Sequence, residues 1–202
     1  FQAMKAAGET AGNPFVESFT YPGNKKRIFV ALFGITGVLT TIWYTAFFSG
    51  MSFLRGPMNM EARTVDIILF ISGLIAMSFY LVVGKWSDRV GRKKPIIVGA
   101  LLSLLLLFPA FWGLSALTYG SVAALLSEMF PAKIRYSSMS IPYHIGAGYL
   151  GGFLPLIAGY IVARSGDIYA GLWYTWVVVA FGVVVAWWGI PNDPEAALDE
   201  AP

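Results

Sequence analysis

A compact block of charge between two long apolar runs constrains the fold of this chain more than any other feature. The block is Gly84–Lys94, with the sequence GKWSDRVGRKK, and the flanking residues 67–83 and 95–127 carry no charged side chain. Because charged groups are costly to bury in lipid, the apolar runs and the block cannot share one solvent. The pattern predicts a water-exposed loop that joins two membrane helices.

The composition places most side chains in lipid. Of 202 residues, 57% are hydrophobic and only 12% are charged, whereas a soluble domain carries roughly 25% charged residues. Only helices and closed barrels satisfy all backbone groups in hydrocarbon. A barrel would show alternating strands of about ten residues, and the uninterrupted apolar runs argue against it. The expected class is an all-α membrane protein.

The number of spans follows from length and charge. A span needs about 20 apolar residues, and the uncharged run 95–127 is too long for one span. If it forms two, every Lys and Arg except Arg55, Arg63 and Arg164 falls on one side, as the excess of basic residues in cytoplasmic loops requires. The prediction is a six-helix transmembrane bundle with spans at about 28–53, 64–84, 95–112, 116–130, 136–163 and 168–190, and with cytoplasmic segments 1–26 and 191–202.

Four spans are distinctive in length or composition. The fourth, from residue 116 to residue 130, would rise about 22 Å, which is less than the roughly 30 Å hydrocarbon core. The third and sixth are apolar all round and are predicted to be outer helices that face lipid. The fifth contains prolines and the pair Gly148 and Gly152, a G-x-x-x-G spacing that lets two helices approach closely.

The charged block fills every defined position of G-x-x-x-D-R-x-G-R-[KR]-[KR], and so resembles the loop signature of the major facilitator superfamily. Leu126–Ser140, Ile141–Pro155 and Trp43–Thr45 further resemble the metabolite:proton symporter family, which carries α-ketoglutarate, citrate, shikimate, proline and betaine. The resemblance runs from that family's central loop to its C-terminus. It therefore implies the C-terminal half of a major facilitator fold, with 1–26 as the remnant of the central loop.

The resemblance also has a gap. Family members have a longer external segment, and more of the tenth helix, between the stretches matched by residues 108–109 and 117–120. This gap accounts for the short fourth span. It keeps open the alternative that the chain is a truncated, transport-inactive fragment of such a carrier.

The resemblance implies a gate in the charged block. Asp88 would bridge to the other six-helix half, and Glu128 would pair with Arg89 or Arg92, since guanidinium groups bind carboxylates through planar forks. The alternative is a solvated loop with no gating role. The candidate gating residues are Gly84, Asp88, Arg89, Gly91, Arg92 and Lys93, with Glu128 and Arg135 as charge-cluster partners.

Other candidates concern substrate and protons. Asp66 is either a cap in the headgroup region or a proton-coupling group. His144, the single histidine, is either a neutral hydrogen-bonded seam residue or a proton carrier, because histidine changes charge near neutral pH. The polar and aromatic groups expected to line the substrate cavity, or else to pack in the core, are Trp43, Tyr44, Thr45, Tyr119 and Ser121.

The expected function is secondary active transport by alternating access: proton-coupled symport of a small organic acid or zwitterion. No nucleotide-binding loop, metal-ligand spacing or nucleophile–base set occurs in the sequence. We therefore expect no enzyme activity, no metal, no cofactor beyond the proton gradient and no nucleic-acid partner. The expected partners are the lipid bilayer, the substrate, protons and an N-terminal six-helix half. The expected location is a bacterial-type inner (plasma) membrane, with both ends of the chain cytoplasmic.

Overall fold

The computed structural model describes residues 13–106, 122 and 124–191, and these residues form helices and turns without any strand. A short helical stretch, 124–128, follows the gap after residue 106. The labelled helices are α1 (Pro14–Thr20), α2 (Asn24–Arg55), α3 (Ala62–Val90), α4 (Lys93–Leu106), α5 (Arg135–Ser165) and α6 (Leu172–Gly189).

Four of these helices, α2, α3, α5 and α6, are long and apolar enough to cross a membrane. They contain the predicted first, second and fifth spans and most of the sixth. The sixth begins at Leu172 instead of residue 168, because Gly166, with φ of +72°, ends α5 and a turn follows. The predicted third and fourth spans lie partly outside the described residues, so the count of six stays a prediction.

Within the segment 1–26, which is predicted to be the cytoplasmic remnant of a central loop, residues 14–20 form a helix that packs on the bundle. The Asn13 side chain caps this helix by accepting hydrogen bonds from the backbone N–H groups of Phe15 and Val16. Pro14 occupies the first helical position, where its missing N–H has no partner to lose. Ser18 is fully buried, and Phe19 packs against the main apolar core.

Helix α2 is continuous but contains two π-helical segments, Ala31–Gly37 and Thr45–Ser49. Threonine hydroxyls in α2 donate to carbonyls of the preceding turn: Thr36 to Ala31 at 2.5 Å, and Thr40 to Thr36 at 2.7 Å. Such bonds satisfy buried hydroxyls locally and often distort helices. The wider turns of α2 are therefore supported by its own polar side chains.

Helix α6 packs along α2 through small residues. A Cβ on Gly34 would lie 2.9 Å from the backbone nitrogen of Ala186, and one on Gly182 would collide with Val38 and the Phe33 carbonyl. The opposite face of α6 is exposed, with Trp188 at 83%. Helix α6, which was predicted to face lipid, is thus apolar all round. One of its faces packs against α2, and the opposite face is exposed and suited to contact with lipid.

Helix α3 is the most exposed of the long helices, since only 6% of its most apolar window is buried against other described residues. It contacts the end of α2 and the helix α4. Its length of 29 residues gives a rise of about 43 Å. Helix α3 therefore carries the charged block to the opposite end of the bundle from Asp66.

Candidate functional site

The charged block is mostly helical, which corrects the prediction of an open loop over Gly84–Lys94. Helix α3 continues to Val90, and α4 begins at Lys93. The reversal is confined to Gly91 and Arg92. Gly91 has φ of +88°, a conformation that glycine adopts without steric cost, and its N–H donates to the Ser87 carbonyl at 3.0 Å.

Arg92 is the centre of the charged turn. Its Nε donates to Glu128 Oε1 at 3.0 Å, and its Nη1 pairs with Asp88 and lies 3.4 Å from the buried Ser87 hydroxyl. The predicted pairing of Glu128 with an arginine of the block is confirmed for Arg92. The gating role assigned to this pair stays a prediction.

The side chain of Arg92 is largely shielded from solvent. The side chains of Arg92 and Glu128 are both 21% exposed, whereas Asp88 is 60% exposed. Burial alone would lower the pKa of Arg92, but the hydrogen bonds to Asp88 and Glu128 outweigh it, so its pKa is raised above the ordinary value. Arg92 is therefore a permanent cation that joins the turn to the helical stretch 124–128.

The other predicted members of the block have lesser roles in this arrangement. Gly84 lies inside α3, Arg89 is exposed, and Lys93 starts α4. Arg135, predicted as a partner in the charge cluster, donates from Nε to the Phe130 carbonyl at 3.1 Å. Among the described residues it joins no carboxylate, so its contact supports the turn before α5 instead of the cluster.

The close seam between α2 and α5 involves different glycines from those predicted. A Cβ on Gly146 would lie 2.9 Å from Thr36 Cβ, and one on Gly151 would lie 2.9 Å from the Tyr44 ring. Gly148 faces open space, and a Cβ on Gly152 would meet only its own helix. The role of Gly148 and Gly152 at a helix seam stays a prediction, and Gly146 and Gly151 contact α2 because residues 146–151 form a π-helical turn. In such a turn, positions five apart share a face.

A cluster of aromatic rings extends from this seam along α2. The rings of Trp43 and Phe47 have centroids 4.9 Å apart, and those of Tyr44 and Phe48 stack at 5.2 Å with an interplanar angle of 19°. Trp43 and Tyr44 are half-buried, and Phe48 is exposed. These rings present apolar and π surface to whatever lies beside α2.

Thr45 does not belong to that surface, which corrects its assignment to the cavity. It is buried, its hydroxyl donates to the Thr41 carbonyl at 2.8 Å, and the same hydroxyl lies 2.5 Å from the Thr175 hydroxyl of α6. Thr45 therefore ties α2 to α6. The sequence held no pairing signal for Thr175, which is why this contact was missed.

A cavity of about 310 Å³ lies between α2, α5 and the stretch 124–128. His144 borders it and keeps its Nδ1 2.9 Å from the Ser140 carbonyl. Since a carbonyl only accepts, Nδ1 carries the proton and Nε2 remains able to bind one. The cavity is lined by Leu39, Val122, Leu126, Met139, Ser140, Tyr143 and His144.

Asp66 does not line this cavity. It pairs with Arg55 at 2.5 Å, and both side chains are exposed. A role for Asp66 in proton coupling stays a prediction. Tyr119 and Ser121 lie outside the described residues. Within the described ranges, no group of His, Asp or Glu is arranged to hold a metal.

Comparisons with known proteins point to transport. The chain is 33% identical over 146 residues to an ectoine/proline transporter of Corynebacterium glutamicum, covering 63% of this chain and 28% of that protein. It is 29% identical over 137 residues to a proline/betaine transporter of Salmonella typhimurium, covering 58% and 27%. It is 28% identical over 137 residues to a glycine betaine/proline/ectoine/pipecolic acid transporter of Dickeya dadantii, again covering 58% and 27%.

The matched region thus spans under a third of the length of these relatives. No protein-family model matches the chain, and no solved structure matches it. The relatives are transport proteins by name, in agreement with the expectation that the chain is not an enzyme.

Proposed function

We propose that this chain is the C-terminal six-helix half of a major facilitator transporter, and that the whole protein takes up small zwitterions by proton-coupled symport. The observation that carries the proposal is the Arg92–Asp88–Glu128 cluster at the α3–α4 turn. It joins residues of the signature block to a carboxylate 36 positions away. The names of the relatives narrow the substrate class from organic acids or zwitterions to compounds such as proline, betaine and ectoine.

The aromatic cluster of α2 supports a zwitterionic substrate. Quaternary and secondary ammonium groups bind to the faces of Trp and Tyr rings, and Trp43 and Tyr44 are half-buried rings in edge contact with each other. Residues 28–54 and 136–163 contain no Lys or Arg. The cation that binds the substrate carboxylate is therefore assigned to the N-terminal half.

His144 is the proposed proton-exchanging group of this half. It borders the cavity, and its Nε2 is not used by the hydrogen bond to Ser140. Proton entry at Nε2 would place a cation beside a mostly apolar cavity. Protonated and neutral His144 would then differ in how well the cavity beside them binds the substrate. Coupling requires such a difference in binding between the two protonation states.

The proposed orientation places α1, the α3–α4 turn and both ends of the chain in the cytosol of a bacterial-type cell. In this orientation, the Lys and Arg residues within 85–94 and 133–135 lie on the cytosolic side, as the positive-inside rule predicts. The Arg55–Asp66 pair lies at the external surface in this orientation.

The test is uptake of labelled proline, glycine betaine, ectoine, citrate and shikimate into proteoliposomes that contain the whole native protein, with and without an inward proton gradient. Uptake of the zwitterions that rises with the gradient supports the proposal. Uptake of citrate or shikimate alone would overturn the substrate class. Uptake that ignores the gradient would overturn proton coupling, and no uptake of any compound would favour the inactive-fragment alternative.

A further inference from the structure

Helix α1 is attached to the bundle by a buried cluster of hydrogen bonds. Ser18, Asn24 and Ser138 are all inaccessible to solvent. Asn24 Nδ2 donates to the Ser18 carbonyl at 2.6 Å and to the Ser138 hydroxyl at 2.8 Å, and the Ser138 hydroxyl donates to that of Ser18 at 3.0 Å. The cluster therefore joins α1, the first residue of α2 and the first turns of α5.

Two further contacts hold α1 in the same position. Glu17 Oε2 lies 3.4 Å from the Nζ of Lys133, just before α5. Phe19 packs against the main apolar core. A hydrogen-bond cluster, an ion pair and an apolar anchor thus act together, so the position of α1 is specific.

The attachment is also suited to release. Asn24 Oδ1 is buried without a partner among the described residues, and a buried polar atom without a partner is unfavourable. Helix α1 has only seven residues, too few to be stable without its docking site. Gly23, with φ of +73° and open space around it, forms the link to α2.

The element that α1 holds can bend. Pro142 lies inside α5 and removes a backbone donor from the helix. The π-helical turn Gly146–Gly151 follows directly. The segment Arg135–Ile145, which borders the cavity at His144, can therefore move relative to the part of α5 that starts at Leu154. Ser138 lies on this movable segment, four residues before Pro142.

We propose that α1 is a clamp that ties the first segment of α5 to α2, and that the clamp must release during each transport cycle. The inference rests on the proposed transport function for its physiological meaning. When the clamp is closed, the segment Arg135–Ile145 is held against the first residue of α2. When it opens, Ser18 and Ser138 separate, and the segment Arg135–Ile145 moves away from α2.

The test is a reversible cross-link. The chain has no cysteine, and the Ser18 and Ser138 hydroxyl oxygens lie in direct contact at 3.0 Å. Two thiol sulfurs at these positions would need to approach by about 1 Å more to form an S–S bond of about 2.05 Å. The Ser18→Cys/Ser138→Cys variant of the whole native protein, with any other cysteines replaced, should oxidise to a disulfide in membranes. The matched control is Ser18→Cys/Ser140→Cys, because Ser140 is exposed on another face of α5 and should not cross-link.

The expected result is a disulfide in the first variant only, loss of uptake on oxidation and recovery of uptake with dithiothreitol. A cross-link that leaves uptake unchanged would overturn release of the clamp. Equal or absent cross-linking in the two variants would overturn the docking itself.

A second readout separates this inference from the transport proposal. Leu39 borders the cavity and is 1% exposed, so maleimide labelling of Leu39→Cys reports opening even in a protein that transports nothing. Slower labelling of position 39 itself, identified by peptide mass in the cross-linked variant and reversed after dithiothreitol has been added and removed, supports the clamp. Labelling at the same rate with and without the cross-link would overturn it.

Discussion

Replacing Gly151 with alanine tests the packing of α2 against α5, and Gly148→Ala is its matched control. A Cβ on Gly151 would lie 2.9 Å from the Tyr44 ring and 3.0 Å from Thr40 Cβ, whereas one on Gly148 would meet nothing within 4 Å. Overpacking of this kind costs about 1–3 kcal/mol. Both variants gain the same helix propensity, roughly 0.5–1 kcal/mol over glycine. Subtracting the control therefore leaves the overpacking cost alone.

The measurement is the melting temperature of each variant in detergent, followed by tryptophan fluorescence. In a protein of this size, 1 kcal/mol corresponds to about 2–4 °C, so Gly151→Ala should melt about 2–12 °C below Gly148→Ala. Gly148→Ala should melt at or slightly above the wild-type temperature. If Gly148→Ala were the destabilised variant, α5 would pack through the G-x-x-x-G face, and the π-helical register would be refuted.

Three other predictions concern the charged turn, the α2–α6 contact and the cavity. Arg92→Lys should reduce uptake at least about tenfold, because an ammonium cannot fork between two carboxylates and a lost charge-assisted hydrogen bond costs about 1.5–3 kcal/mol. Unchanged uptake in both Arg92→Lys and Glu128→Gln would contradict a role of this cluster in transport. Thr45→Val should lower the free energy of unfolding by about 0.6–1.7 kcal/mol. The double variant Thr45→Val/Thr175→Val should lose less stability than the sum of the two single variants. If the losses of stability measured by melting were strictly additive, the two hydroxyls would not interact. His144→Gln should reduce the stimulation of uptake by an inward proton gradient, because an amide side chain cannot take up the proton. Unaltered stimulation would remove His144 from coupling.

The placement of charge was predictable from the sequence. Because charge in lipid is costly, the block around Arg92 had to lie at one end of the bundle, and the nearest carboxylate that follows it, Glu128, was the natural partner. The structure pairs these two side chains at 3.0 Å. The positions of charged residues relative to the apolar runs, and the signs of their charges, can be read directly from a sequence.

The packing registers were not predictable. A G-x-x-x-G spacing assumes about 3.6 residues per turn, whereas the π-helical turn of α5 brings Gly146 and Gly151, five positions apart, into contact with α2. Thr45 likewise looked like a cavity residue from its neighbours along the chain. Which face of a helix is buried depends on its three-dimensional partner, here Thr175, and a single sequence does not reveal that partner.

The buried docking of α1 was missed for a related reason. Ser18 and Asn24 lie in a polar stretch that reads as solvent-exposed, and Ser138 is 114 positions from Asn24. Each residue looks ordinary by itself. Their burial follows from the meeting of three elements, and the sequence gives only a weak signal for it, namely Phe15 and Phe19 spaced at one helical turn.

The most direct test of the whole account is the sidedness of the charged turn. Arg63 is exposed at the start of α3, and Lys94 is exposed at the start of α4, just after the turn that ends α3. Arg63→Cys and Lys94→Cys therefore report the two opposite ends of α3. In intact cells, a membrane-impermeant maleimide should label Arg63→Cys at once and Lys94→Cys only after the cells are permeabilised. Labelling of Lys94→Cys from outside intact cells would contradict the cytoplasmic turn and, with it, the transporter half proposed for this chain.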